Sequence, residues 1–333
     1  MRWLGWGGGV VVVLVAMGAI YAWGAGLFWP CEALGRGNGN CERILSLDGR
    51  QISAMTLLPD GAILAVTRGS GPSPETGQEL ATIDAETGAI ISQIALDVLA
   101  PEASVSGIAV NGDATRVALS VLNEDTQVID RSGNPVAAFS PSLPAFFGFD
   151  AEGRVLMRRL GNEYGLDPAQ EILAYDPAAP DAEPVPVDIA AAGTILSAGL
   201  NLAFSPDGTL FAQALPALRG RGVAGLRAGL VERPDVSGLL LATRVPEDCS
   251  PTFVDIGFSP GGGRIAATFE CIHRWGNEGS KLAAWDINAG HLLADMSATD
   301  WWGDFLWIDE ATLVVERYDG DTRLGELFRI TLD

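Results

Sequence analysis

The sequence predicts an all-β chain of repeated four-stranded units behind a single N-terminal transmembrane helix, and three observations carry the prediction. A strand–turn–strand phrase recurs six times after residue 42. Each copy is followed by a third strand and usually a fourth. Ahead of them, residues 3–31 hold no charged residue, a run long enough to cross a bilayer, which takes about 20 apolar residues. Six four-stranded units at this spacing make a six-bladed β-propeller.

The repeats justify the blades. LAFSPDGTLFAQA (202–214) and IGFSPGGGRIAAT (256–268) are the clearest pair: an apolar strand, a Pro/Gly/Asp turn and an alternating second strand, which is hairpin grammar. The same grammar appears in MTLLPDGAILAVT (55–67), IAVNGDATRVALS (108–120), FGFDAEGRVLMRR (147–159) and LWIDEATLVVERY (306–318). Third and fourth strands are plainest in ELATIDAETGAIISQI (79–94), TQVIDRSGNPVAAF (126–139) and KLAAWDINAGHLLADM (281–296). Asp84, Asp130 and Asp286 precede the turn at the same place in each. The last unit supplies only three strands, so ERILSL (42–47) is expected to become its outer strand and leave no open edge.

Residues 1–30 read as a signal-anchor helix, 31–41 as a Cys-flanked linker and 42–333 as the propeller. Trp3 and Trp6 near one end of the apolar run, with Tyr21, Trp23, Phe28 and Trp29 near the other, form an aromatic belt. Arg2 on the short side keeps the N-terminus cytoplasmic and exports the rest. The alternative is a signal peptide cleaved after Gly24. Gly18, Ala22 and Gly26 recur every four residues, a spacing that lets a second helix pack closely in lipid.

Four cysteines allow three pairings; proximity favours Cys31 with Cys41 and Cys249 with Cys271, in an oxidising compartment. In blade five the hairpin would bring Cys249 and Cys271 to the same end. Four buried free thiols are the alternative.

FSPDG, FSPGG and the strand ending in Trp285-Asp286 resemble the WD40-like repeats of β-propellers, especially the six-bladed propeller of the periplasmic TolB type. The resemblance covers about residues 42–333 and implies architecture. With export it implies a bacterial inner-membrane protein, single-pass, its propeller in the periplasm. Most units lack the Gly-His dipeptide of ordinary WD40 repeats, and no copy of the separate TolB N-terminal domain is visible. That family's partner-binding residues are therefore not carried over.

Charge excludes one function class. The 42 acidic residues outnumber 21 basic ones, a net charge of -21, whereas nucleic-acid binding depends on neutralising phosphates. Four arginines nevertheless crowd RGRGVAGLRAGLVER: Arg219, Arg221, Arg227 and Arg233. The stretch lacks the GK[ST] ending of a phosphate loop. It reads as the longest second-to-third-strand insert, running through Ser237 in blade four. Similar inserts are RGSGPSPETGQ (68–78), LGNEYGLDPAQ (160–170), CIHRWGNEGS (271–280) and YDGDTRLGE (318–326). Long loops on one face of a rigid scaffold suit recognition. The candidate partner-binding residues are these four arginines with His273, Arg274 and Trp275.

Catalytic or metal chemistry has thin support. His291 lies in a third-to-fourth-strand turn, away from His273, which argues against a histidine metal site or a Ser-His-Asp triad. Asp319, Asp321 and Glu316 miss the EF-hand spacing. Asp255 and Asp304 fall on the innermost strands of adjacent blades, where a central channel would gather them. No cofactor, metal or catalytic residue is expected. The sequence reads as a membrane-anchored scaffold for a protein partner, an accessory or assembly subunit of an inner-membrane complex. The alternatives are a periplasmic hydrolase or lactonase-like propeller, and a soluble TolB-like factor released by signal cleavage.

Overall fold

The computed structural model describes residues 41–47, 50–69, 77–100, 103–122, 124–140, 145–158, 172–187, 202–215, 223–230, 239–245, 250–273, 276–298, 301–318 and 325–332. The expected transmembrane helix, with Gly18, Ala22 and Gly26, and most of the linker lie outside them. Among the described residues no helix is long and apolar enough to cross a membrane.

The described chain is built of strands in six antiparallel four-stranded sheets, an all-β six-bladed propeller. The first strand, β1 (Cys41–Leu47), is set aside for the last blade. Blade one comprises β2 (Arg50–Leu57), β3 (Ile63–Gly69), β4 (Gln78–Ile83) and β5 (Ile90–Ala95). Blade two comprises β6 (Val105–Val110), β7 (Arg116–Val121), β8 (Thr126–Asp130) and β9 (Pro135–Phe139). Blade three holds β10 (Ala145–Phe149), β11 (Val155–Arg158), β12 (Ile172–Tyr175) and β13 (Val185–Val187). Blade four holds β14 (Leu202–Phe204), β15 (Leu210–Ala214), β16 (Val223–Leu230) and β17 (Leu239–Arg244). Blade five holds β18 (Ser250–Phe258), β19 (Arg264–His273), β20 (Gly276–Asp286) and β21 (His291–Ala298). Blade six holds β22 (Trp301–Trp307), β23 (Thr312–Tyr318) and β24 (Gly325–Thr331), with β1 outermost. All six expected hairpins are present, as is the closure by the first strand.

That closure is an antiparallel ladder running from Cys41 opposite Ile330 to Leu47 opposite Gly325. Exposed ion pairs flank it, Arg43–Glu326 at 2.8 Å and Arg329–Glu42 at 2.5 Å. Such pairs contribute little. The ladder and burial do more: Leu47 is buried, and Ile44 and Leu45 pack onto the apolar layer between blades six and one. Gly88, at φ +72, turns blade one's outer hairpin beneath β1, and a Cβ there would lie 1.8 Å from the Ile44 carbonyl oxygen. Only glycine fits.

Strand alternation explains the core. In β19, Ile265, Ala267 and Phe269 face blade four, while Ala266 faces blade six. Second and third strands are thus apolar on both faces, and the seams between blades one and two, two and three, four and five, five and six, and six and one each hold an apolar layer. Two tryptophans bind across seams. Trp285 Nε1 donates to the Ala242 carbonyl at 3.3 Å, and Trp307 Nε1 donates to the Gly257 carbonyl at 3.0 Å. The three equivalent aspartates work as turn formers. Asp84 accepts from the Glu86 and Thr87 amides, Asp130 from those of Ser132 and Asn134, and Asp286 from that of Ala289. The carboxyl of Asp84 is held below its ordinary range chiefly by the Thr87 amide, that of Asp130 chiefly by the Asn134 side chain.

The strand directions define two faces. First-to-second and third-to-fourth turns lie on one, here the turn face. Second-to-third connections and the crossings between blades lie on the other, the crossover face.

Candidate functional site

The inner strands share an irregularity. Beside Ser53 in β2, Ser106 in β6, Phe147 in β10 and Val254 in β18 the register slips by one residue, and in β22 Gly303 and Asp304 are both passed over. Bulges of this kind re-aim side chains and free backbone N–H groups from the ladder. Those free groups need acceptors. Near the junction of blades five, six and one, the acceptors are carboxylates.

Asp255 and Asp304 occupy equivalent positions, each three residues before the last residue of its inner strand. Blades one and two have Ala54 and Gly107 there. Asp255 faces blade six: its Oδ1 accepts from the Ile256 amide at 2.8 Å and its Oδ2 from the Phe305 amide at 3.5 Å. Glu316, on β23, faces blade one, where its Oε1 accepts from the Ile52 amide at 2.9 Å beside the β2 bulge. Its other oxygen lies over Gly303, where an added Cβ would sit 2.5 Å from it. Asp304 completes the group.

Burial and mutual repulsion govern this cluster. Asp255 is 9% and Glu316 6% exposed, and Asp304 is half-buried. The Asp304 carboxyl is pushed well above its ordinary range, first by burial and then by the charges of Asp255 and Glu316. The Glu316 carboxyl is pushed up to about 8 by burial, with the Ile52 amide pulling the other way. Protonation is the less costly state of a buried carboxyl without a counter-ion. The arrangement holds protons and caps backbone amides. Among the described residues, no group of three or more His, Cys, Asp or Glu side chains is placed to hold a metal ion.

Asp255 and Asp304 are brought together as the sequence suggested. Glu316 joins them, although its sequence grouping was with Asp319 and Asp321, which lie outside the described residues. Its signal was a carboxyl at an inward position of the alternating strand TLVVERY.

The arginine stretch requires a correction. It is not a continuous loop, because Val223–Leu230 is β16, the third strand of blade four. Ala224, Leu226 and Ala228 alternate into the layer shared with blade five. Arg227 sits on the opposite side of that strand, half-buried, with its guanidinium 5.2 Å from the centre of the Phe211 ring and 3.3 Å from Gln213 Oε1. A cation–π contact and a cross-strand hydrogen bond thus use the side chain within the blade. Two glycines among its eight residues disguised the period of two. Arg219, Arg221 and Arg233 lie outside the described residues.

Blade five departs in the same direction. CIHRWGNEGS is a hairpin rather than a long loop: β19 runs to His273 and pairs it with Gly276, while Arg274 and Trp275 lie outside the described residues. Strands of 10 and 11 residues make this the longest hairpin in the ring, projecting from the crossover face. His273 and the exposed His291 sit at opposite ends of blade five. Cys271 lies opposite Pro251, two residues after Cys249. Cys41 and Cys271 are both disulfide-bonded. Their expected mates, Cys31 and Cys249, lie outside the described residues.

Among solved structures, the chain is similar to the β-propeller domain of Cps50 (Swd1) from Myceliophteria thermophila. The identity is 10% and the TM-score 0.48, over 88% of this chain and 99% of that one. No protein-family model matches the chain, and no curated protein matches it.

Proposed function

We propose that the chain is a membrane-anchored, exported scaffold whose propeller holds a protein partner of an inner-membrane complex. The observation that carries the reading is the blade-five hairpin. It projects from the crossover face, and the sequence between its paired ends, His273 and Gly276, is Arg-Trp, residue types that dominate binding hot spots. A ring closed by its own first strand gives that hairpin a rigid base. Export is supported by the disulfide-bonded state of Cys41 and Cys271, and anchoring by the uncharged apolar run before β1.

Purification of tagged full-length protein in mild detergent should bring down a stoichiometric protein partner. Replacing Arg274-Trp275 by Asn-Gly, a pair suited to a two-residue hairpin turn, should release that partner without lowering the melting temperature. Recovery of the monomer alone, or unchanged retention by the variant, would overturn the reading.

The competing hydrolase reading has one observation in its favour, the Asp255, Asp304 and Glu316 cluster with two raised carboxyls. In our reading that cluster caps the amides of Ile52, Ile256 and Phe305 at blade seams.

A further inference from the structure

Large apolar side chains left exposed on the described residues are not scattered. Ile90 and Ile91 begin β5, Leu239 and Leu240 begin β17, Val185 begins β13, and Val136 and Leu292 are second in β9 and β21. Leu230 ends β16. All these positions lie at the turn-face end of the outer part of a blade; Leu122, at the crossover face, is the exception among them. Ile91 is 62%, Leu240 57% and Val185 52% exposed, too much to be packing within the ring. Apolar groups concentrated at one end of a molecule mark a contact surface.

The same face is acidic. Its turns present Asp60, Glu86, Asp113, Glu152, Asp181 and Glu183 to solvent. Among the described residues the arginines in those turns are Arg131 and Arg154, and Arg154 is already paired with Asp150 and Glu152. The aspartates that cap their own turns account for part of this charge. Glu86, Asp181 and Glu183 are exposed and lie outside those caps. A surface combining apolar side chains with uncompensated carboxylates is complementary to one combining apolar groups with cations. It is not complementary to an anionic lipid surface.

The chain enters the ring at this face too. Cys41, the first residue of β1, pairs with Ile330 near the end of β24, at the turn-face end of blade six. The forty preceding residues, with their apolar run, therefore depart from here.

From the apolar rim, the acidic turns and the point of entry, we infer that the turn face is a second docking surface, for a protein partner presenting lysine or arginine beside apolar side chains close to the anchor. This deepens the scaffold reading and rests on it for the position of the membrane. The surface itself stands without the anchor.

The test uses the full chain in phosphatidylcholine nanodiscs, with a fluorescein-labelled amphipathic Lys/Leu peptide as probe and anisotropy as readout. The triple change Ile91→Ser, Val185→Ser and Leu240→Ser should weaken binding at least about tenfold. Glu86→Gln, Asp181→Asn and Glu183→Gln together should do the same and flatten the salt dependence. Leu122→Ser with Glu124→Gln, at the crossover face, should change neither. Equal loss in that control, or unchanged binding in both turn-face variants, would overturn the inference. So would uptake of the probe-free protein by phosphatidylcholine or phosphatidylglycerol vesicles that is lost in the Ile91, Val185 and Leu240 variant, because that result assigns the face to lipid. A mature N-terminus at Ala25 by mass spectrometry would remove the anchor while leaving the peptide result to decide the surface.

Discussion

Two of the places where blade five and its neighbours bury charge solve the same problem differently. At the seam with blade four, Lys281, the chain's single lysine, is 7% exposed. Its Nζ lies 2.5 Å from Asp295 Oδ1 and donates to the Arg244 carbonyl, while Thr243 donates to Asp295 Oδ2 at 2.8 Å. Opposite charges and hydrogen bonds meet there. Near the axis, Asp255, Asp304 and Glu316 have like charges and backbone amides for company, and burial favours the protonated carboxyls of Asp304 and Glu316. The first arrangement fails when a partner is removed. The second fails when protons are.

The largest expected effect tests the paired site. Lys281→Met leaves Asp295 buried without its cation and should cost about 3–5 kcal/mol in denaturant unfolding. A loss below about 1 kcal/mol would show that the pair is solvated after all.

Removing the protons tests the other site. The folded chain keeps the Glu316 proton to about pH 8, whereas the unfolded chain releases it near 4.5. Stability linked to this group is therefore complete below the lower value and lost as the pH rises through the upper one. The loss is up to about 5 kcal/mol. Glu316→Gln keeps an acceptor for the Ile52 amide and should flatten the decline in unfolding free energy between about pH 4.5 and 8. An unchanged slope would mean that other groups dominate.

Asp255→Asn is expected to act less strongly and in the same direction. It retains an acceptor for the Ile256 and Phe305 amides while removing one charge that raises Asp304, so the Asp304 carboxyl should titrate lower by NMR. No movement would sever the two residues.

The smallest effect supplies a charge-free reference. Ala114 adopts φ +54 in a turn where Gly61, Gly153 and Gly208 take the same hand. Ala114→Gly should stabilise by about 0.5 kcal/mol, relieved strain outweighing the added freedom of the unfolded chain. Destabilisation would show that the Ala114 methyl contributes packing that exceeds its strain.

The propeller was legible because its hairpins repeat a local rule: alternation on either side of a Pro/Gly/Asp turn identifies them without knowledge of tertiary structure. Asp255 and Asp304 were legible for the same reason, as equivalent letters in two repeats. Glu316 was not, since its partners come from other strands and from the next blade. The arginine stretch misled because glycine is read as loop, whereas in β16 a Gly225 Cβ would meet the Leu241 carbonyl oxygen at 3.0 Å, tight packing that favours glycine. The blade-five hairpin was hidden by its Gly and Asn residues. Extended pairing there depends on a sheet edge that the sequence does not display.

The closing strand has a consequence for the order of events in a cell. Glu42 and its partner Arg329 are separated by 287 positions, so β1 is synthesised and, in an exported chain, delivered long before the strand it pairs with. It must wait as an unpaired edge while five blades assemble, since long-range pairing comes late when so much chain must first be ordered. Ring closure thus depends on the arrival of β24: only then can the exposed edge of β1 be paired.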